Sequence, residues 1–267
     1  MKEKVLSIIN QWKLDVKKDI EIGKIYIFGS LIYKDEILFD TIKSDLDLIF
    51  IFPENLNSAF KRRNWLETLK KHKQNLELKL LQLLEKKDAT EQIISIVAIS
   101  KEELKYNVHK SSARNFFEIN QFLDTDDNTI FYGSEKFTFE KINNELIIQI
   151  FEAVQKSRNS FLKNSTNKDF KALTWKDDDD ILPKSLAREY GKIASLIEGE
   201  SSKGDEFNIP FGIDLIKLKV KELRNTQKEF LEIYTWIDSR SGGRSVSKEK
   251  SILSCEKHLI LYELLYD

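Results

Sequence analysis

Two aspartates, Asp45 and Asp47, stand one residue apart in the stretch SDLDLIFIF (44–52), which then turns wholly apolar. Ile49, Phe50, Ile51 and Phe52 have the β-favouring character of a strand covered on both faces. Side chains alternate along a strand, so Asp45 and Asp47 share one face while Leu46 and Leu48 take the other. Carboxylates on one face repel, and stability gives no reason to pair them. A hard divalent cation does: oxygen ligands at this spacing suit Mg²⁺, and Mn²⁺ in the same way. Aspartates are also ordinary at strand starts, and Ser-Asp is common turn chemistry. The pair gains meaning from what precedes it.

Upstream lies KIYIFGS (24–30), a short β-type run ending in Gly29 and Ser30. An amphipathic helix comes first, with Val5, Ile8, Ile9 and Trp12 at helical spacing. Residues 31–43 read as a helical turn and loop. Leu66, Leu69, Leu76, Leu80 and Leu84 mark one face of a long charged helix over 57–87. QIISIVAIS (92–100) is a second wholly apolar strand, and Ser100 with Glu103 forms a capping box that starts a helix. IFYG (130–133) reads as a further short strand. Beyond residue 134 every periodic segment is helical. The expected class is therefore α+β, with an α/β domain over residues 1–133 and a helical domain over 134–267.

Strand, Gly29-Ser30, turn, Ser44-Asp45-x-Asp47, strand: this order resembles the nucleotidyltransferase fold of the DNA polymerase β superfamily. The resemblance rests on FGS (28–30) and SDLDLIF (44–50), and implies a mixed sheet with flanking helices followed by a helical bundle. It implies that Asp45 and Asp47 hold Mg²⁺ against the phosphates of an NTP. Gly29 would let backbone N–H groups approach those phosphates, and Ser30 would sit at a helix N-terminus, where anions are favoured. The family usually adds a third carboxylate on a later neighbouring strand, where this chain has Ser95. Glu91, just before that strand, is the nearest acidic substitute for a catalytic base, or else a solvated carboxylate.

Asp177 to Asp180 precede Pro183 and suit the first turn of a helix; they read as dipole-compensating charges or as a source of the base. Lys184, Arg188 and Lys192 share a helix face at spacing four. That stripe is either solvated or, as the resemblance implies for Lys184 and Arg188, directed to a triphosphate. The basic loop SRSGGRSVSK (239–248) reads as a connector or a phosphate or nucleic-acid contact. His72, His109 and His258 share no metal-ligand spacing and read as structural or exposed. Cys255 reads as a core residue, and Trp12, Trp65, Trp175 and Trp236 as packing residues.

The whole chain sets the outer bounds. Its 43 Lys and Arg balance 44 Asp and Glu, which argues against an obligate polyanion binder. One cysteine rules out an internal disulfide framework and suits a reducing cytoplasm. No apolar run reaches membrane-spanning length, and charges interrupt the N-terminal apolar residues too often for a signal peptide. The resemblance implies Mg²⁺-dependent transfer of NMP from an NTP to an acceptor hydroxyl, with pyrophosphate released. The acceptor stays open among a small molecule, an oligonucleotide, a protein and the enzyme's own hydroxyl. Members acting in bacterial phage defence, making nucleotide oligomers or second messengers, are the favoured comparison. A non-catalytic nucleotide-binding adaptor, favoured by Ser95, and an RNA-binding module using Arg240 and Arg244 are the rival readings.

Overall fold

The computed structural model describes residues 1–34, 36–84, 93–163, 184–198, 209–223 and 255–267. It divides into two compact units: Met1–Asn143 with Gln155–Phe170, and Asn144–Val154 with Lys171–Asp267. The first unit runs past the expected boundary at residue 133 and then takes back part of a later helix.

That first unit is built on a five-stranded mixed sheet. Its strands are β1 (Ile25–Phe28), β2 (Leu46–Ile51), β3 (Ile94–Ile99), β4 (Gln121–Asp124) and β5 (Ile130–Tyr132). They lie in the order β3-β2-β1-β4-β5. Only the β2–β3 pair is parallel, joined through the long helix α2 (Ala59–Leu83). Parallel neighbours need such a crossover, which is why a 25-residue helix separates two apolar runs. Ser58 caps α2 by accepting from the Lys61 N–H.

Alternation along the strands sends two sets of side chains to opposite faces. Phe50 meets α2 and the first helix, α1 (Lys2–Val16), where Trp12 packs edge-on at 5.8 Å and Trp65 at 6.2 Å. Tyr26, Phe28, Ile49, Ile51, Val97 and Ile99 form the other core with Phe117, Phe122 and Phe131. The last three arrive on the short helix α4 (Phe116–Ile119) and on β4 and β5. Strand β4 was not expected from the sequence: QFLD is short, and its polar ends hide it among turn residues. The expected capping box opens a one-turn helix, α3 (Lys101–Lys105), with both reciprocal bonds formed. A further single turn, α5 (Gly133–Lys136), follows β5.

Helix α6 (Glu145–Lys163) contributes to both units. Its second half covers the outer edge of β3: Asn159 donates to the Ile96 carbonyl at 3.0 Å and Arg158 to the Ala98 carbonyl at 3.2 Å. Edge carbonyls left open would template aggregation, and here the Asn159 amide and the Arg158 guanidinium close two of them. Arg158 also donates to Glu103 at 2.8 Å, with both side chains fully buried. This explains why residues 155–163 fold with the sheet.

In the second unit the described helices are the start of α6, α7 (Lys184–Glu198), α8 (Ile209–Leu223) and α9 (Cys255–Glu263). Gly212 on α8 sits against the Ala187 carbonyl, and any Cβ there would overlap it, so α7 and α8 pack at backbone contact. The Tyr190 hydroxyl donates to the Leu261 carbonyl at 2.7 Å from a buried ring, tying α7 to α9. No described helix is long and apolar enough to cross a membrane.

Removing one member of a buried pair strands its partner in a low-dielectric interior. Arg158→Ala is expected to lower unfolding stability by about 3–5 kcal/mol, because buried Glu103 loses its charge partner, keeping the Ser100 N–H, and the Ala98 carbonyl loses its side-chain donor. Denaturant unfolding checks it; a loss below about 1 kcal/mol contradicts the assignment.

Candidate active site

The opening aspartates lie at one end of the sheet. Phe28, the last residue of β1, pairs with Asp47, and Asp47 pairs on its other side with Ser95. Phe28, Asp47 and Ser95 thus form one row across three strands, on the face that carries Ile49 and Tyr26. Asp45 immediately precedes β2 and acts on Asp47 through space.

Gly29 follows Phe28 with φ +81°, a conformation side chains rarely adopt. A Cβ at that position would overlap the Asp47 carboxylate. The glycine is therefore required by the aspartate across the strand pair as well as by its turn. The Gly29 carbonyl accepts from the N–H of Ile32 at 3.0 Å and of Tyr33 at 3.1 Å, closing a tight turn. Ser30 consequently lies in a turn, not at the N-terminus of an α-helix as expected. One carbonyl collects both amides, and the chain then leaves helical geometry, with φ of 51° at Lys34 and 69° at Glu36.

Burial, then repulsion by Asp45, pushes the Asp47 carboxyl from its ordinary 3.8 up to about 7; Lys110 and the Ser95 hydroxyl act in the opposite direction. The carboxylate pair is thus short of positive charge, the condition that favours a bound cation. Ser95 is buried, and its side chain takes the place on the third strand where a further carboxylate was expected.

Three side chains that sequence reasoning missed complete this end of the sheet. Lys110 is partly buried and faces both aspartates; burial lowers its pKa, and Asp47 and Asp45 raise it. It sits in a turn closed by the Ser112 N–H to the His109 carbonyl at 2.9 Å. His109 is stacked on Phe116 at 3.7 Å, and both rings lie edge-on to Phe28. Burial, then Lys110, holds the His109 imidazole down to about 3, so it packs uncharged. Tyr33 donates to the Asn120 side-chain carbonyl at 2.9 Å, and Asn120 donates to the Phe116 carbonyl at 2.7 Å. Burial raises the Tyr33 pKa while the Gly29 N–H lowers it, so its hydroxyl also faces the turn. No local motif marks these residues, because folding brings 110 and 120 to residue 29.

Glu91, Asp177 to Asp180, Trp175, Trp236 and residues 239–248 lie outside the described residues. Lys184 begins α7, and Arg188 is exposed on it, within the second unit. A cavity of about 960 Å³ opens at the opposite end of the sheet, beside Lys24, Phe52 and Asp126. Its cations are largely neutralised: Lys13 and Lys24 hold Asp126 at 2.6 and 2.7 Å, and Lys136 holds Asp124 at 2.6 Å.

Residues 8–267 match the family described as NTase-conflict, Pol beta superfamily nucleotidyltransferase in conflict systems. The chain belongs to this family. Comparison with curated proteins and with solved structures found no match. The match extends across the helical half of the chain.

Two outcomes follow from Gly29 and Asp47. Gly29→Ala is expected to cost about 1–3 kcal/mol, and combining it with Asp47→Gly should recover part of that loss, because the clashing carboxylate is gone. Strict additivity in denaturant unfolding contradicts the contact. Asp47 binds its proton more tightly when folded, so between pH about 4 and 7 the folded state holds a proton the unfolded chain has lost. Stability from this group therefore falls as pH rises through that window. In melts at pH 5 and pH 8 without added metal, Asp47→Asn should shrink the difference seen in the wild-type protein.

Proposed function

We propose that the protein is a divalent-cation-dependent nucleotidyltransferase that moves NMP from an NTP to an acceptor hydroxyl and releases pyrophosphate. The observation that carries this reading is the under-neutralised pair Asp45 and Asp47, held over a glycine turn in a chain of the Pol beta superfamily. The donor set fits a hard cation: two neighbouring carboxylates, one of them raised by burial and then by the other, with the Ser95 hydroxyl alongside. Mg²⁺, or Mn²⁺ in its place, would be held by Asp45 and Asp47 and would supply charge stabilisation to the phosphates.

The remaining work belongs to the chain itself. The turn after Gly29 offers backbone N–H groups and the Ser30 hydroxyl, which has no partner among the described residues, to the phosphate tail. Lys110 places a positive charge beside the carboxylates. Catalysis of this kind is positioning and electrostatic preorganisation, so few side chains need covalent roles. The base for the acceptor hydroxyl is assigned to Glu91 or to one of Asp177 to Asp180, and Lys184 and Arg188 to the triphosphate. A role in conflict systems favours products used in bacterial antiviral defence, such as nucleotide oligomers or second messengers, made in the cytoplasm. A small molecule, a protein or an RNA end is the alternative acceptor.

Ser95 favours one second reading: a nucleotide-binding adaptor that has lost its third carboxylate and senses NTP without turning it over. Incubation with each labelled NTP and Mg²⁺, without added acceptor, separates them. Labelled oligomers or self-modified protein support the enzyme; tight NTP binding with no product across small-molecule, RNA and protein acceptors supports the adaptor.

For the enzyme, Asp45→Ala and Asp47→Ala should each reduce transfer by at least about 10³-fold while the fold survives, since each removal relieves repulsion. Wild-type turnover by Asp47→Ala would overturn the assignment.

A further inference from the structure

The row Phe28, Asp47, Ser95 sets how many anionic ligands this end of the sheet can offer. Strand β3 contributes a neutral hydroxyl there, and among the described residues no cluster of three or more His, Cys, Asp or Glu side chains gathers to hold metal. Two divalent ions at the usual separation of about 3.5–4 Å repel strongly and need shared and additional carboxylates to stay together. Among the described residues, Asp45 and Asp47 form a thin ligand set for two.

Lys110 fills the other half of the charge pattern. It lies on the same sheet face as Asp47, in the turn that His109 fixes against Phe116 and Phe28. Gln155 from α6 donates to the Val108 carbonyl at 2.8 Å and pins the chain just before that turn. Among the described residues no hydrogen bond or ion pair holds the Lys110 ammonium, although both aspartates act on it through space. Lys163, at the end of α6, adds positive charge on the same side. A lysine in a fixed turn, facing two carboxylates without bonding to either, is placed to meet an anion lying over them. The same charge opposes a second cation.

We propose that the site binds a single divalent cation, and that Lys110 supplies toward the nucleotide phosphates the positive charge that a second cation would otherwise bring. This rests on the nucleotide-binding reading above. The lysine is a compact point charge on a flexible stem, so it can follow the phosphates while remaining beside Asp45 and Asp47.

Metal counting tests the proposal without reference to turnover. Equilibrium dialysis of the wild-type chain with Mn²⁺ and a saturating non-hydrolysable NTP analogue should give one Mn²⁺ per chain. Two per chain overturns the single-cation site while leaving the nucleotidyltransferase reading in place. None overturns the metal site itself, and that reading with it. Lys110→Gln should weaken binding of the analogue roughly tenfold, on the scale of one charge at partly buried range. Lys110→Arg should retain most of the wild-type affinity. Unchanged analogue affinity in a folded Lys110→Gln protein removes the lysine from the phosphate site. The wild-type metal count stands as a test even if that variant does not fold.

Discussion

The close approach of the Asp47 carboxylate to the space beside Gly29, which a Cβ would enter, is the constraint on which this end of the molecule depends. It exists because β1 and β2 run antiparallel with Phe28 opposite Asp47, so the residue after Phe28 must pass directly over the carboxylate. Any Cβ there would displace the carboxylate and strain the backbone, and the positive φ of Gly29 turns the chain at once into the loop that carries Ser30 and Tyr33. A structural requirement and a chemical opportunity thus coincide: the closeness that crowds out a side chain also brings the turn's backbone up to Asp47.

Charge elsewhere in the first unit is settled internally. Arg158 neutralises Glu103, Lys73 neutralises Glu77 at 2.6 Å, and three lysines surround Asp124 and Asp126. Burying an ion is tolerated when its partner comes with it. Asp45 and Asp47 depart from that pattern, since Lys110 offsets them from a distance and does not bond to them. A fold that pairs Arg158 with Glu103, Lys73 with Glu77 and Lys136 with Asp124 but leaves these two carboxylates facing each other has kept room for something positive.

Helix α6 serves the site indirectly. By closing the outer edge of β3 through Asn159 and Arg158, it fixes the strand that presents Ser95. Through Gln155 it also holds the chain leading to Lys110. Its N-terminal residues belong to the helical unit, so one continuous element serves two cores.

The carboxylate pair, its strand, the preceding Gly-Ser and the class of fold were legible in the sequence, because each is a local pattern. Alternation puts Asp45 and Asp47 on one face wherever that strand sits, and a wholly apolar run must be covered on both sides. The place of Ser95 on a neighbouring strand was given by the family resemblance, and the parallel register sets it beside Asp47. Strand β4 was hidden because a four-residue strand with polar ends has no period to read. Lys110, Tyr33 and Asn120 were hidden for a different reason: their neighbours lie on other strands and turns, and no spacing along the chain encodes that. The start of α6 was legible as helix, but its return to the sheet was not, because that depends on a carbonyl edge that exists only once β3 has paired. Which residues carry charge, and that Asp45 and Asp47 stand close together, was set along the chain; which distant charges meet them was decided by folding, because Coulomb interactions depend on distance in space and not along the chain.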